Sequence, residues 1–313
     1  MSEKRYLITG GAGNIGSALA HRLAKEEDSV VVVVDNISTG EYAKIPQKHN
    51  VVFIKADVNN YSDVVPIFGR YNFDYVFHYA AVVGVTRTLE NPMMVLNDIE
   101  GIKNILSLSK NTGVQRVFYS SSSEVYGEPF EIPQNEQTTP LNSRLPYAIV
   151  KNVGEAFFRS FQQEYGLEYT IFRFFNTYGP NQSEDFVIPK FLKAAMNNEP
   201  LYVYGDGQQT RSFCFVDDNV DTCVLAMNSK SHANEVLNIG SDIEMTVLEL
   251  AQRVIKLSGS SSEIIHLPPL KEGDMMRRCP DTTKMKKLLG RELVALEDGL
   301  RKLMTHYENR EKS

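Results

Sequence analysis

Gly10-Gly-Ala-Gly13-Asn-Ile-Gly16 stands between the apolar run Tyr6-Leu-Ile-Thr9 and a helical pattern over 15–25, and no other feature of the chain restricts its fold so tightly. Glycines at those positions permit a tight turn, close backbone approach to a pyrophosphate, and intimate packing of helix on strand. The helix amino-terminus then presents unpaired N–H donors to phosphate. A glycine triplet alone is weak evidence, because turns collect glycine for backbone freedom. Asp35 adds weight, ending the apolar run 30–34 nineteen residues after Gly16. A carboxylate there can accept from both ribose hydroxyls and repels a 2′-phosphate, which predicts NAD rather than NADP.

Periodicity along the first half agrees. Short β-branched runs at 6–9, 30–35, 51–55, 75–78, 117–120 and 169–174 read as strands, and 15–25, 61–69, 92–111 and 147–165 read as helices between them. Strands separated by helices imply right-handed crossovers and a doubly wound, Rossmann-like parallel sheet, with ligands at the carboxyl ends of the strands. Asp57-Val58 and His78-Tyr-Ala-Ala81 follow the third and fourth strands, where small residues let backbone lie against a dinucleotide.

From Asn176 the pattern loosens into Gly, Pro, Asn and Asp. Tyr204-Gly-Asp-Gly207 reads as a hairpin turn, and only 212–216 and 236–239 again resemble core strands. The expected organisation is an NAD-binding domain over 1–175, to which 212–240 returns, and a smaller mixed α/β substrate-binding lobe from 176–211 and 241–313. Helices at 247–257 and 283–289 are assigned to that lobe.

Composition limits the partners. A net charge of -6 leaves no basic excess for phosphate-backbone binding, so nucleic acid is excluded as a partner. Cys214, Cys223 and Cys279 match no metal-ligand spacing and read as small buried hydrophobes in a reducing compartment. No metal site is expected. No apolar stretch approaches the roughly 20 residues a membrane helix needs, and the amino-terminus carries no apolar signal region, so a cytoplasmic protein without membrane association is expected.

Tyr147 and Lys151 share one helical face at i and i+4, which sets an ammonium near a phenol. Positive charge from Lys151 and an oxidised nicotinamide would favour the phenolate, and Lys151 can also hold the nicotinamide ribose. A lone Tyr-x-x-x-Lys is common on helix surfaces, so its meaning depends on context. Ser120-Ser-Ser-Ser123-Glu124 supplies that context, following the apolar run 117–119 at a carboxyl strand end. Ser122 is the candidate to share a proton with Tyr147, while Glu124 can abstract a carbon-bound proton or orient a sugar hydroxyl.

These residues together closely resemble the extended short-chain dehydrogenase/reductase family, in its NAD-dependent nucleotide-sugar epimerase/dehydratase branch. The likeness spans nearly the whole chain: Thr9 to Gly16, His78 to Ala81, Ser121 to Gly127, Tyr147 with Lys151, Asn176-Thr-Tyr-Gly-Pro180, Tyr204-Gly-Asp-Gly with Arg211-Ser-Phe, and Gly273-Asp-x-x-Arg277. It implies C4 oxidation of a nucleotide-diphosphate sugar by Ser122, Tyr147, Lys151 and NAD, with Glu124 beside them. The implied cofactor contacts are Gly10, Gly13, Asn14, Ile15, Gly16, Asp35, Asn36, Asp57, Val58, Ala80, Ala81 and Phe174, with Tyr147 and Lys151. Substrate falls to Ser122, Ser123, Glu124, Asn176, Val187, Arg211 and Arg277, with Val203 and Tyr204 near the base. A homodimer through 92–111 and 147–165 is also implied.

Three departures bear on the reaction. Ser123-Glu124 replaces the Asp-Glu pair of the 4,6-dehydratases, which argues against dehydration. Ser-Glu-Val-Tyr-Gly and Arg144, three residues before Tyr147, resemble uridine diphosphate glucuronate decarboxylases, whereas 80–92 looks more like epimerases. Asp98 stands where family members generally carry Asn. The leading expectation is a 4-epimerase with tightly held NAD. The alternatives are a 4-dehydrogenase recycled by a keto acid such as 2-oxoglutarate, a uronate decarboxylase and, from another class, a noncatalytic NAD-binding scaffold.

Overall fold

The computed structural model describes residues 3–269 and 277–311. Its first half runs β1 (Lys4–Thr9), α1 (Asn14–Leu23), β2 (Ser29–Asp35), β3 (Val51–Lys55), α2 (Tyr61–Arg70), β4 (Tyr75–His78), α3 (Val85–Glu90), α4 (Pro92–Leu96), α5 (Asp98–Thr112), β5 (Arg116–Ser122), α6 (Pro146–Tyr165) and β6 (Glu168–Phe174). These strands and the later β11 (Glu235–Ile239) form one seven-stranded sheet in the order β11-β6-β5-β4-β1-β2-β3. Every pairing in it is parallel.

Side-chain alternation along the strands explains why both faces are covered. Tyr6, Ile8, Val31 and Val33 join one apolar core, while Leu7, Val32 and Val34 join the other. Period-two backbone sends neighbours to opposite faces, so a parallel sheet between helices needs apolar residues at successive positions. On the first face, Phe77, Phe118 and Phe172 stack across β4, β5 and β6 with centroids 4.4 and 5.9 Å apart. Each such fully buried ring contributes roughly 2 to 3 kcal/mol by area removed from water. The sheet order reverses at β1, between β2 and β4, which opens a crevice beyond the carboxyl ends of β1 and β4.

The second half runs β7 (Thr177–Tyr178), α7 (Val187–Met196), β8 (Leu201–Tyr204), β9 (Thr210–Ser212), β10 (Cys214–Phe215), α8 (Val216–Asn228), β11 (Glu235–Ile239), β12 (Glu244–Thr246), α9 (Val247–Ser258), β13 (Ile264–Leu267), α10 (Thr283–Leu289) and α11 (Leu296–Glu311). Phe191, Leu201, Leu250 and Leu300 from α7, β8, α9 and α11 continue the core that Tyr6 and Ile8 begin. The later segments are therefore welded to one face of the sheet.

Several expectations change. Residues 92–111 form two helices, α4 and α5, meeting at Asn97. Tyr204-Gly-Asp-Gly207 does not close a hairpin: β8 pairs in parallel with β13, and β9 pairs antiparallel with β12. Both glycines have positive φ, 63° and 74°, so the turn signal was real but led to a different partner strand. Of the two later core strands, 236–239 lies in β11 of the main sheet, whereas 212–216 is split among β9, β10 and the start of α8. Helix α10 packs on β11 and α8 rather than on the lobe elements. All three cysteines are free and buried. Among the described residues no helix is long and apolar enough to cross a membrane, and no cluster of His, Cys, Asp and Glu could hold a metal.

Candidate active site

The glycine turn has the shape its residue types require. Gly13 is the amino-terminal cap of α1, and Gly10 adopts φ +67°. A Cβ at Gly10 would lie 2.6 Å from Ala80 N, and one at Gly16 would overlap the Gly10 carbonyl oxygen. Asn14, Ile15 and Gly16 open the helix, where N–H groups lack intrahelical acceptors. Asp35 is buried at the end of β2, accepting from Ala12 N at 3.0 Å and Ile37 N at 2.8 Å. Each carboxylate oxygen keeps a lone pair for a ribose hydroxyl. Asn36 donates to Asp57 at 3.3 Å, joining the loops that follow β2 and β3, and Val58 is buried beneath them. Ala80 and Ala81 follow β4, Ala80 with its backbone against Gly10, and Phe174 ends β6 with its ring at right angles to that of Tyr79. This backbone-lined cradle fits a dinucleotide.

At the end of β5 the successive hydroxyls diverge, as strand geometry demands. Ser121 Oγ donates to buried Glu155 at 2.7 Å. Ser122 Oγ accepts from Glu124 N at 3.2 Å and bears electrostatically on the Tyr147 hydroxyl. Pro146 occupies the first turn of α6, where its fixed φ suits a helix start, and delivers Tyr147 to the strand end. Lys151, one turn on and buried, donates from Nζ to Ser120 O at 2.6 Å and lies 5.7 Å from the Tyr147 ring centroid.

The electrostatics differ from the simple expectation of a phenol eased by lysine. Burial pushes the Tyr147 phenol well above its ordinary value; the Ser122 hydroxyl opposes this, Glu124 and Asp98 reinforce it, and Arg278 opposes it. Burial likewise lowers Lys151 to about 8, against the pull of Asp98. His78, hydrogen-bonded to Thr9 Oγ1 at 2.9 Å, is pushed down by burial to about 3 and stays neutral.

Sequence reasoning missed Arg278. Its Nη1 lies 2.9 Å from Glu124 Oε1 and 3.4 Å from Ser123 Oγ, and the side chain is buried. Glu124 Oε2 is buried without a hydrogen-bond partner. Two adjacent arginines look alike in sequence, but here their side chains divide: Arg278 enters the site, while Arg277 is 55% exposed.

The predicted substrate residues are only partly assembled. Arg277 holds Glu244 through three contacts of 2.6 to 3.1 Å, and Arg211 Nη1 donates to Thr210 O at 2.7 Å. Asn176 donates to Ser212 O at 3.1 Å. Val187 begins α7, half-buried against the core. Val203 corrects its assignment, because the alternation of β8 drives its side chain fully into the core and turns Tyr202 and Tyr204 outward. Arg144 is exposed, and Gly273 lies outside the described residues.

Hydroxyl, phenol, ammonium and a carboxylate–guanidinium pair therefore meet beside a dinucleotide cradle, an arrangement able to move a proton to or from a bound alcohol. Residues 6–240 match the model of the NAD dependent epimerase/dehydratase family. The chain is 36% identical over 301 residues to UDP-N-acetyl-alpha-D-glucosaminuronate decarboxylase of Bacillus cytotoxicus, covering 91% of this chain and 92% of that one. The epimerase Mth375 of Methanothermobacter thermautotrophicus superposes with a TM-score of 0.94 at 31% identity, covering 99% and 94% of the two chains. UDP-glucose 4-epimerase of Thermotoga maritima, solved with UDP-glucose, gives 0.91 at 34% identity over 99% and 100%. Family model, relatives and structures agree: the chain belongs to the NAD dependent epimerase/dehydratase family of NAD-dependent enzymes.

Proposed function

We propose that this protein oxidises the C4 hydroxyl of a nucleotide-diphosphate sugar to a ketone and returns it to the opposite configuration, as a 4-epimerase. The convergence of Ser122 at the carboxyl end of β5 with Tyr147 and Lys151 in the first turns of α6 carries the reading. Tyr147 Oη takes the hydroxyl proton, Ser122 Oγ orients the reacting oxygen, and Lys151 fixes the local charge. NAD bound in the cradle supplies the hydride acceptor, the donor for the return, and a positive ring that favours the phenolate. On the return, the same Tyr147 oxygen gives its proton back to the alkoxide, so no external acid is consumed.

Arg211 and Arg277 are the candidate diphosphate partners, since guanidinium forks suit phosphate oxygens. For Arg277 that requires exchange of Glu244 for substrate. The exposed apolar side chains Met93, Met94 and Leu96 of α4 and Ile149 of α6 support a homodimer through these helices. Three free, buried thiols suit a reducing cytoplasm.

Decarboxylation of a uronate is the second reading, favoured by Arg278 and Glu124 beside Ser122: a buried guanidinium can neutralise a sugar carboxylate. Purified protein should be incubated with neutral and uronate UDP- and GDP-sugars without added cofactor, and the products read by mass spectrometry and NMR. A C4 epimer supports the first reading and CO₂ release the second. Failure to convert any nucleotide sugar would end both.

A further inference from the structure

The helical turn Ser123–Tyr126, directly after β5, is tied at both ends to one later segment, 278–281. At its start, Arg278 Nη1 lies 2.9 Å from Glu124 Oε1 and 3.4 Å from Ser123 Oγ. At its end, the Tyr126 hydroxyl donates to Asn238 Oδ1 on β11 at 2.7 Å, and Asn238 Nδ2 donates to Gln134 O at 2.8 Å. Gln134 then bridges Pro280 in parallel: its N–H donates to Cys279 O and its carbonyl accepts from Asp281 N, both at 2.8 Å. Asn135 Nδ2 adds a bond to Asp281 Oδ2 at 2.9 Å. Arg278, Glu124, Tyr126, Asn238, Gln134 and Cys279 therefore close a ring, which the main chain of 278–279 completes.

The ring has one branch. Arg173 Nη1 donates to the same Tyr126 hydroxyl at 2.8 Å, and its Nε and Nη2 hold Glu155, the carboxylate that accepts from Ser121 Oγ. Tyr126 Oη is the junction of ring and branch, giving its one proton to Asn238 and a lone pair to Arg173. Half-buried Glu136 runs beside it, with its carbonyl accepting from Arg173 at 3.3 Å and its carboxylate from Asn238 N at 2.9 Å. Tyr126, Arg173, Asn238 and Gln134 are all buried. No solvent competes for these bonds, and a polar group left unpaired there is costly, so the set resists rearrangement.

We propose that Tyr126 is a positioning residue whose hydroxyl sets the Arg278 arm in register with the reacting Ser122. Ser122 lies between Ser121, held by the branch, and Glu124, held by the ring and bonded through its N–H to Ser122 Oγ at 3.2 Å. One junction thus fixes the cation and the hydroxyl relative to each other. This rests on the reading of Ser122 and Arg278 as parts of the active site.

The test is Tyr126→Phe in the full-length protein, which keeps the aromatic face 4.8 Å from the Arg173 guanidinium and deletes only the junction. Hydrogen exchange followed by NMR should show the Gln134 and Asp281 amides, the two donors of the bridge, opening about tenfold faster, the effect of losing one buried hydrogen bond. Amides of β1 should exchange as in wild type. Asn238→Asp breaks the next link, keeping the acceptor for Tyr126 and losing the donor to Gln134, and should loosen the same two amides. Turnover of the nucleotide sugar should fall roughly ten- to hundredfold in Tyr126→Phe, with NADH binding within a few-fold of wild type. A residue that only stabilises the fold would multiply its loss with that of Arg278→Lys, whereas the double variant of a residue acting through Arg278 is scarcely slower than Arg278→Lys alone. Unchanged exchange at Gln134 and Asp281 in either folded variant, wild-type turnover in Tyr126→Phe, or losses that multiply in full in the double variant overturns the inference. Faster exchange in a protein that converts no nucleotide sugar would leave the hold of Tyr126 on the Arg278 arm standing and remove the proposed function.

Discussion

Arg278 and Glu124, 154 positions apart in sequence, meet with Nη1 and Oε1 2.9 Å apart, and the Glu124 backbone N–H donates to Ser122 Oγ at 3.2 Å. Both side chains are largely withdrawn from water, 7% and 19% exposed, so neither charge is supported by solvent alone. The pair ties the segment that precedes α10 to the loop after β5 and sets a cation within electrostatic reach of Tyr147.

Arg278→Leu should therefore cost stability as well as activity. Removing one partner of a buried ion pair strands the other charge, at about 3 to 5 kcal/mol, and also removes one of the groups, after Ser122, that lower the Tyr147 phenol. Urea denaturation and turnover read the two effects, and Arg278→Lys should rescue stability better than rate. Equal stability of Arg278→Leu and wild type would show that Glu124 is solvated after all.

Tyr147→Phe removes only the hydroxyl, and the packing of the ring against α5-side apolar residues remains. Loss of a general base costs about 10² to 10⁴ in rate, while NADH binding, followed by its fluorescence, should stay within a few-fold. Retained turnover would show that Tyr147 is a packing residue.

The central sheet was legible because its signals are local. Strands β1 to β6 lie where the β-branched runs stand, and the glycine turn with Asp35 marks the crevice. Ser122, Tyr147 and Lys151 were legible because strand end and helix start place them by short-range geometry. Arg278 was not, since its partner lies in a distant loop and its neighbour Arg277 has the same side chain. The fate of Tyr204 to Gly207 was equally hidden: positive φ at a turn shows that the chain bends, while the partner strand is chosen by tertiary packing against α9 and β13. Val203 failed for a related reason, because the alternation that buries it depends on which side of β8 carries the core.

Gly16→Ala and Gly69→Ala should separate the cradle from an ordinary helix position. A Cβ at Gly16 overlaps backbone of the glycine turn, whereas one at Gly69 in α2 meets nothing within 4 Å. Alanine at Gly69 should be neutral or raise stability by up to about 1 kcal/mol, from helix propensity. Alanine at Gly16 should abolish copurification of NAD and lower the melting temperature. A Gly16→Ala protein that still binds NADH like wild type would contradict the close-packed turn.

Glu155 should make the active helix acid-sensitive. Its carboxylate, fully buried on α6, accepts from Arg173 Nε at 2.9 Å and Nη2 at 2.8 Å, from Ser121 Oγ at 2.7 Å and from Arg159 Nη2 at 2.9 Å. Burial pushes this carboxyl up, but the Arg173 guanidinium, the Ser121 bond and Arg159 outweigh it, leaving the group below its ordinary value. A carboxyl depressed in the folded state contributes stability that is complete above its unfolded pKa of about 4.3 and fades as pH falls through the lower folded value. Glu155→Gln lacks that titration and leaves the Arg173 cation buried without its counter-charge, a loss of about 3 to 5 kcal/mol at neutral pH. The gap between wild type and Glu155→Gln in urea denaturation should thus be widest near pH 7 and narrow on acidification below the ordinary carboxylate range. Because Ser121 adjoins Ser122 and Glu155 shares a helix with Tyr147, the same variant should lose turnover at neutral pH before it unfolds. A gap that stays constant from neutral to acid pH would mean that Glu155 does not titrate with folding, and the network would then be held by hydrogen bonding alone.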